Sequence, residues 1–259
     1  MPVTWPRMSL PRRSPDPVTT SLPVLYDAGG VLAVAKPAGL PTQAPTGIES
    51  AESCVRHRLF GDAASRGGRH PGGFLGVPHR LDRPVSGVLL FATTPRAARQ
   101  LSRQFERRRV TKTYVALLDA SAGAVDDRFE WRDFVRKVPD AARAEIVSGG
   151  NAGGREAVTT GRVIAVHDGV VRVELVPATG RMHQLRVQAA SRRMPVLGDV
   201  VYGGPPGVTD AGEDPRLLPI ALHASRIAFE DPVTGLPVEV DCPPPTGWIG
   251  RFAVPRTPA

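Results

Sequence analysis

Residues 79–92, HRLDRPVSGVLLFA, place one carboxylate directly before a run of apolar residues. Asp82 has Arg80 and Arg83 close by, and the apolar run from Val88 predicts a buried strand. Asp82 would then lie half buried at the lip of a cleft, where neighbouring arginine favours the charged form of a carboxylate. Local chemistry leaves two interpretations open: a turn residue neutralised by its neighbours, or a reactive carboxylate acting as nucleophile or base.

Short strands and hairpins surround this segment. The β-rich runs between turn residues predict strands at 24–26, 31–35, 88–92, 162–166 and 170–176, one from Lys112, and two near the end of the chain joined at PVTG. Helices are predicted at 95–109 and 181–192, the second with Leu185 and Ala189 facing inward. The sequence has no regular βαβα alternation, GxGxxG or P-loop, so it favours an α+β domain with a mixed, mostly antiparallel sheet.

The helix predicted at 95–109 is unusually basic on one face. Thr94 can cap it, Pro95 suits its first turn, and apolar residues recur every four positions from Ala97. The opposite face carries Arg96, Arg99, Arg103 and Arg107. Such a face is compatible with simple solvation or with an anionic partner.

The whole chain is basic, with a formal net charge of +8 and a calculated pI near 10.4. That balance is typical of a partner such as nucleic acid or an anionic surface. However, 30 of the 33 basic residues are arginine, a bias that genome composition alone could produce. Charge therefore leaves the partner open.

Targeting and cysteine signals point to a cytoplasmic protein. Cys54 and Cys242 lie far apart without a CxxC, so neither a zinc site nor a disulfide framework is predicted. No secretory signal and no membrane span are recognisable. Residues 1–20, rich in Pro and Arg, are expected to form a flexible tail ahead of one domain at 21–259.

Five segments, taken in order, carry a resemblance to a known family. HRLDRPVSGVLLFA resembles the signature HRLDxxTSGLLLFA of the RluA-type RNA pseudouridine synthases. The opening VLYDAGGVLAVAKPAGLP, KTYVALL, TGRMHQLRVQAASRRMPVLGDVVYG and LHASRIAFEDPVTG are similar to further motifs of that family. The ordered set runs from about residue 22 to about 245, which makes it far more specific than any one motif.

The resemblance implies an isomerase with the pseudouridine synthase fold and a central RNA-binding cleft. Such enzymes convert uridine in structured rRNA or tRNA to pseudouridine without redox chemistry, so no cofactor is expected. A monomer is expected, with no DNA or membrane partner. Two alternatives stay open: a non-catalytic RNA-binding or ribosome-assembly protein that keeps the fold, and a hydrolase that uses Asp82, although no second acid or His base is evident for it.

The resemblance also assigns roles to individual residues. It makes Asp82 the catalytic carboxylate, Tyr114 the aromatic that stacks on the uracil, and Arg186 the partner of Asp82. A guanidinium can hold two carboxylate oxygens, and a buried carboxylate without a partner would take up a proton. Substrate-binding positions are Arg80, which would fill the gap left by the extruded base, and Lys112, Arg181 and His183.

Other motif residues are expected to be structural. His79, His223 and Asp199 are placed in this group, whereas Lys36 could either anchor its loop or touch RNA. The chain departs from the family pattern at Val85 and Met182, where Thr is usual, and at Ala35, where Asn is usual. These departures could affect which RNA is bound.

Overall fold

A computed structural model describes residues 20–61, 73–124, 126–207 and 218–252. The predicted tail at 1–20 lies outside these ranges except for Thr20, as do most of the loop at 61–76 and part of the loop that begins at Gly203. Within the described residues, no helix is long and apolar enough to cross a membrane.

The described residues form ten strands and four α-helices. The strands are β1 (Val24–Ala28), β2 (Val31–Lys36), β3 (Ser86–Ala92), β4 (Thr111–Asp119), β5 (Arg128–Lys137), β6 (Ala144–Val147), β7 (Arg155–His167), β8 (Val170–Pro177), β9 (Leu222–Glu230) and β10 (Pro237–Asp241). The helices are α1 (Ala51–Phe60), α2 (Pro95–Glu106), α3 (Gln184–Ser191) and α4 (Trp248–Arg251).

The strands join into one mixed sheet in the order β1-β2-β3-β9-β4-β8-β7-β5-β6, with β10 added to β9. Every ladder is antiparallel except β3–β9. The predicted α+β class with a mostly antiparallel sheet is therefore confirmed, as are the hairpins β1–β2, β7–β8 and β9–β10.

The parallel β3–β9 ladder explains why the motif at 79–92 contains Ser-Gly. Ser86 pairs with His223, and Gly87 pairs with Ala224. The Ser86 hydroxyl lies 2.8 Å from His223 Nδ1. Gly87 adopts a φ of +120°, and a Cβ there would lie 2.2 Å from the Ala224 carbonyl oxygen, so only glycine permits this approach. The ladder fixes the start of β3, and with it the loop that carries Asp82.

The predicted helices form with different boundaries. The Thr94 side chain caps α2 by accepting a hydrogen bond from the Ala97 amide at 3.2 Å. This helix packs on β3 and β9 and ends at Glu106, a turn earlier than expected. The prediction of a helix from 181 was wrong at its start: α3 begins at Gln184 because His183 takes the left-handed conformation, with φ of +51°. Leu185 and Ala189 are buried as predicted.

Candidate active site

A cleft of about 780 Å³ opens beside the start of β3. It is formed by the loop before β3, the first residues of β4, the residues after α2, and the segment from Pro177 into α3. All seven site residues predicted from the sequence line it: Arg80, Asp82, Lys112, Tyr114, Arg181, His183 and Arg186.

The loop that carries Asp82 is pinned by the segment that follows β2. Thr42 brackets Leu81, since its hydroxyl donates to the Leu81 carbonyl at 2.8 Å and accepts from the Leu81 amide at 3.0 Å. Gly39 and Arg83 exchange two further hydrogen bonds, at 2.9 and 2.8 Å. The Asp82 side chain, 21% exposed, is thus held at the cleft wall rather than in bulk water.

Lys36 anchors the same loop from below. Its ammonium is almost completely buried and donates to the carbonyls of Pro37, Leu40 and Arg83 at 2.8, 2.7 and 3.3 Å. Burial lowers the pKa of Lys36 to about 7, and the negative charge of Asp82 opposes that shift. Of the two roles considered for Lys36, its contacts are those of a loop anchor.

The Arg186 guanidinium contacts two carboxylates, Asp199 and Asp82. Its two-pronged bond goes to Asp199, with Nε and Nη2 donating to the two carboxylate oxygens at 2.6 and 2.7 Å. Asp82 receives a single contact, with Nη1 at 3.5 Å from Oδ2. Arg186 and Asp199 are both buried, so each needs the other's charge. The guanidinium bridges two carboxylates and presents one nitrogen to the cleft.

Asp199, which the sequence analysis placed among the structural residues, thus supports the site through Arg186. Burial alone would lower the pKa of Arg186, but hydrogen bonds and charge from Asp199, together with the charge of Asp82, raise it. Asp199 belongs to the GDVVYG segment that had already been quoted as a motif. Because a buried acid needs a cationic partner, the presence of Arg186 in the same motif could have indicated this pair.

Tyr202 is a residue of the site that the sequence analysis did not single out. The Arg186 guanidinium lies over its ring, 5.0 Å from the centroid. Its hydroxyl accepts from the Ala144 amide at 2.7 Å and lies 2.9 Å from His183 Nδ1. The ring of Tyr202 thus supports Arg186, and its hydroxyl supports His183.

His183 reaches Asp82 without forming a firm ion pair. The distance from Nε2 to Asp82 Oδ2 is 3.7 Å. Burial lowers the pKa of His183 below its usual value, although the charge of Asp82 opposes the shift. The imidazole is therefore mainly neutral at neutral pH, and Arg186 supplies the cationic charge nearest to the carboxylate.

β4 supplies the wall of the cleft that carries Lys112 and Tyr114. Tyr114 is 9% exposed, and burial followed by the charge of Asp82 raises the pKa of its phenol well above the usual value. Burial also lowers the pKa of Lys112. The neighbouring His79 accepts a hydrogen bond from the Leu90 amide at 2.9 Å, stacks on Phe105, and has its pKa lowered to about 3 by burial and by Lys112. Tyr114 thus offers a protonated phenol, and His79 stays neutral.

Arginine surrounds the mouth of the cleft. Arg80 is exposed, whereas Arg181 is half buried and donates through Nε to the Glu156 carbonyl at 2.9 Å. Burial and the positive charges of Arg155 and Arg108 lower the pKa of Arg181, so both of these arginines lie near Arg181. Two carboxylates, Asp82 and Glu106, line the cleft, and Asp82 is the one in contact with the buried Arg186. A concave site with a basic rim, a carboxylate and a protonated phenol suits a polyanionic substrate whose reaction needs both groups.

The cleft thus combines a basic rim with the carboxylate of Asp82 and the phenol of Tyr114. A family model described as RNA pseudouridylate synthase matches residues 30–191. The chain is 33% identical over 237 residues to tRNA pseudouridine synthase C of Salmonella typhi, covering 88% of this chain and 87% of that one. It is 32% identical over 229 residues to the dual-specificity RNA pseudouridine synthase RluA of Haemophilus influenzae, covering 85% and 91%.

A solved structure agrees with the sequence relatives. The human protein RNA Pseudouridylate Synthase Domain Containing 1 superimposes with a TM-score of 0.65 and 28% identity, over 87% of this chain and 84% of that one. The chain belongs to the RNA pseudouridylate synthase family, and the resemblance found in its motifs is confirmed. Members of this family are isomerases, which confirms the predicted class of enzyme.

Proposed function

We propose that this protein isomerises specific uridines of a structured tRNA or rRNA to pseudouridine, with Asp82 as the catalytic carboxylate. The observation that carries the proposal is the position of Asp82, at the wall of a basic cleft and 3.5 Å from a buried guanidinium. Relatives named as a tRNA, a ribosomal large subunit and a dual-specificity RNA pseudouridine synthase support the choice of substrate class.

The reaction rearranges bonds without changing composition. The bond between uracil N1 and ribose C1′ breaks, the base turns, and C5 bonds to C1′. The hydrogen on C5 leaves as a proton, and N1 gains one, so no oxidant or reductant is needed. A carboxylate could attack C1′, add to the uracil ring or remove a ribose proton, and each route starts from ionised Asp82.

The other residues of the cleft have supporting roles in the proposed reaction. Arg186 places a guanidinium nitrogen 3.5 Å from the Asp82 carboxylate, and Asp199 and Tyr202 hold Arg186 in place. The ring of Tyr114 stacks on the uracil, and its protonated phenol is available for a late proton transfer. Extrusion of the base costs a few kcal/mol, and exposed Arg80 at the cleft mouth can fill the vacated position.

The test compares two aspartate variants on RNA labelled with tritium at uridine C5. Asp82→Asn should abolish tritium release and pseudouridine formation, while its affinity for RNA stays within about twofold. Asp168→Asn is the matched control, because this side chain is 83% exposed at the β7–β8 turn and asparagine tolerates its φ of +48°. Full turnover by Asp82→Asn would refute the role of the carboxylate.

The substrate class is tested separately. Pseudouridines are mapped across total RNA from cells with and without this protein, and new sites are expected in tRNA or rRNA. Binding without any new pseudouridine would instead identify an RNA-binding protein that keeps the fold.

A further inference from the structure

Positive charge is concentrated in one short segment outside the cleft. Residues 95–109, which form α2 and the turn after it, contain six arginines and one glutamate. This segment of fifteen residues thus carries a net charge of +5, out of +8 for the whole chain. A compositional bias spread evenly along the chain would not produce this concentration.

Four of these arginines share one exposed face of α2. Arg96, Arg99, Arg103 and Arg107 are three or four positions apart, and all are exposed. The opposite face packs inward through Ala97, Leu101 and Gln104. Like charges at this spacing repel one another along a helix, and an anionic partner would relieve that repulsion.

The four arginines have no acidic partner among the described residues. Exposed arginines on the sheet behave differently, because Arg132, Arg162 and Arg226 each contact a carboxylate at 2.6–2.7 Å. The α2 face is therefore distinguished by its lack of counter-charge as well as by its arginine content.

The basic face continues to the cleft. Arg108 follows α2 in the left-handed conformation and lines the cleft, opposite Arg181. On the other side of the same helix end, Arg103 and Arg107 border a groove of about 360 Å³. In that groove, Glu230 pairs with Arg109, and Asp231 accepts hydrogen bonds within its own turn. These two carboxylates would repel an anion. The exposed arginines of α2 are therefore a better place for an anion than the floor of the groove.

We propose that the ridge formed by Arg96, Arg99, Arg103 and Arg107 binds the phosphate backbone of the RNA that flanks the target uridine. This inference rests on the proposed function, since it assumes that RNA occupies the cleft. The ridge is about 16 Å long at the rise of an α-helix, which is enough to face several successive phosphates. Because guanidinium groups on phosphates carry no base information, the ridge adds affinity and orientation rather than sequence specificity.

The test removes three ridge charges and compares a variant with the same net charge. The ridge variant is Arg99→Gln/Arg103→Gln/Arg107→Gln, in which glutamine keeps helix propensity. The control is Arg132→Gln/Arg162→Gln/Arg226→Gln, which removes three exposed arginines from the sheet. Affinity for a natural tRNA or rRNA fragment is measured over a range of salt concentrations.

The ridge variant should bind at least about tenfold more weakly, and the slope of log affinity against log salt should fall by about 2 to 3, since each phosphate contact contributes about 0.7–0.9. The single variants Arg99→Gln and Arg103→Gln should each lower the slope by about the 0.7–0.9 expected for one phosphate contact. They allow the test to be made even if the triple variant does not fold. On a short oligonucleotide that fills only the cleft, kcat/KM should be unchanged.

An unchanged salt slope in the ridge variants would overturn the proposal, and so would an equal loss in the control variant, which would show an effect of net charge alone. A fall in kcat at saturating RNA would also overturn it. Failure of the proposed function looks different: wild-type protein would then form no pseudouridine, whatever the salt slope of its binding.

Discussion

Replacing Asp199 with asparagine tests whether the buried ion pair sets the geometry of the cleft. Asp199→Asn keeps the shape of the side chain but removes its charge and one of the two acceptors used by Arg186. Arg186, 4% exposed, would remain charged in a buried site with Asp82 as its remaining carboxylate partner.

The expected loss of stability is about 3 kcal/mol. Breaking a buried pair by removing one partner costs about 3–5 kcal/mol, because the other charge is left uncompensated. The lower end applies here, since asparagine still offers one carbonyl oxygen and Asp82 Oδ2 lies only 3.5 Å from Nη1. For a chain of this length, such a loss lowers Tm by roughly 6–12 °C.

Urea unfolding gives the free-energy difference, and tritium release from RNA gives the rate. Asp241→Asn is the control, because its pair with Arg226 is 62% and 49% exposed and should contribute less than about 1 kcal/mol. With Arg186 free to turn toward Asp82, we expect kcat to fall at least about tenfold while RNA affinity is retained. A loss below about 1 kcal/mol together with a wild-type rate would refute the reasoning.

Two further perturbations test other parts of the site. Tyr114→Phe keeps the ring but removes the protonated phenol, so RNA affinity should be retained while the rate falls about 10²–10⁴-fold. An unchanged rate in the tritium assay would exclude the phenol from proton transfer. Lys36→Met should change the pH dependence of stability. The pKa of Lys36 is about 7 in the folded protein, whereas an unfolded lysine titrates near ~10.4. Between these pH values the unfolded state binds more protons, so burial of Lys36 becomes less costly as pH rises. The free energy of unfolding of the wild type, relative to Lys36→Met, should therefore rise by up to about 1.4 kcal/mol per pH unit in that window. Urea unfolding at several pH values measures it. A constant difference in free energy between the two proteins across the window would contradict the lowered pKa.

The sequence predicted the elements whose signals are local. Period-two alternation and turn residues gave the hairpins, and Thr94 with Pro95 gave the start of α2. The strand β5 was missed because its inward Trp131 and Val135 alternate with many charged residues. Helix α1 was missed because its capping box pairs Ser50 with Ser53 instead of the more recognisable Glu or Gln.

The site was harder to derive because its contacts join distant segments. The motifs predicted that Asp82, Tyr114 and Arg186 belong to one site, and all three line the same cleft in the structure. Arg186 shares its guanidinium between Asp82 and Asp199, and it forms its two-pronged bond with Asp199. Nothing in the local sequence specifies that three-dimensional choice.

The parallel ladder between β3 and β9 has a consequence for protein synthesis. Ser86 leaves the ribosome long before its partner His223, which follows 137 positions later. At about 5–20 residues per second, the loop that carries the carboxylate waits roughly 7–27 seconds for the strand that holds it in place. A nascent chain that has not yet reached β9 therefore lacks the strand that fixes the start of β3 and the loop that carries Asp82.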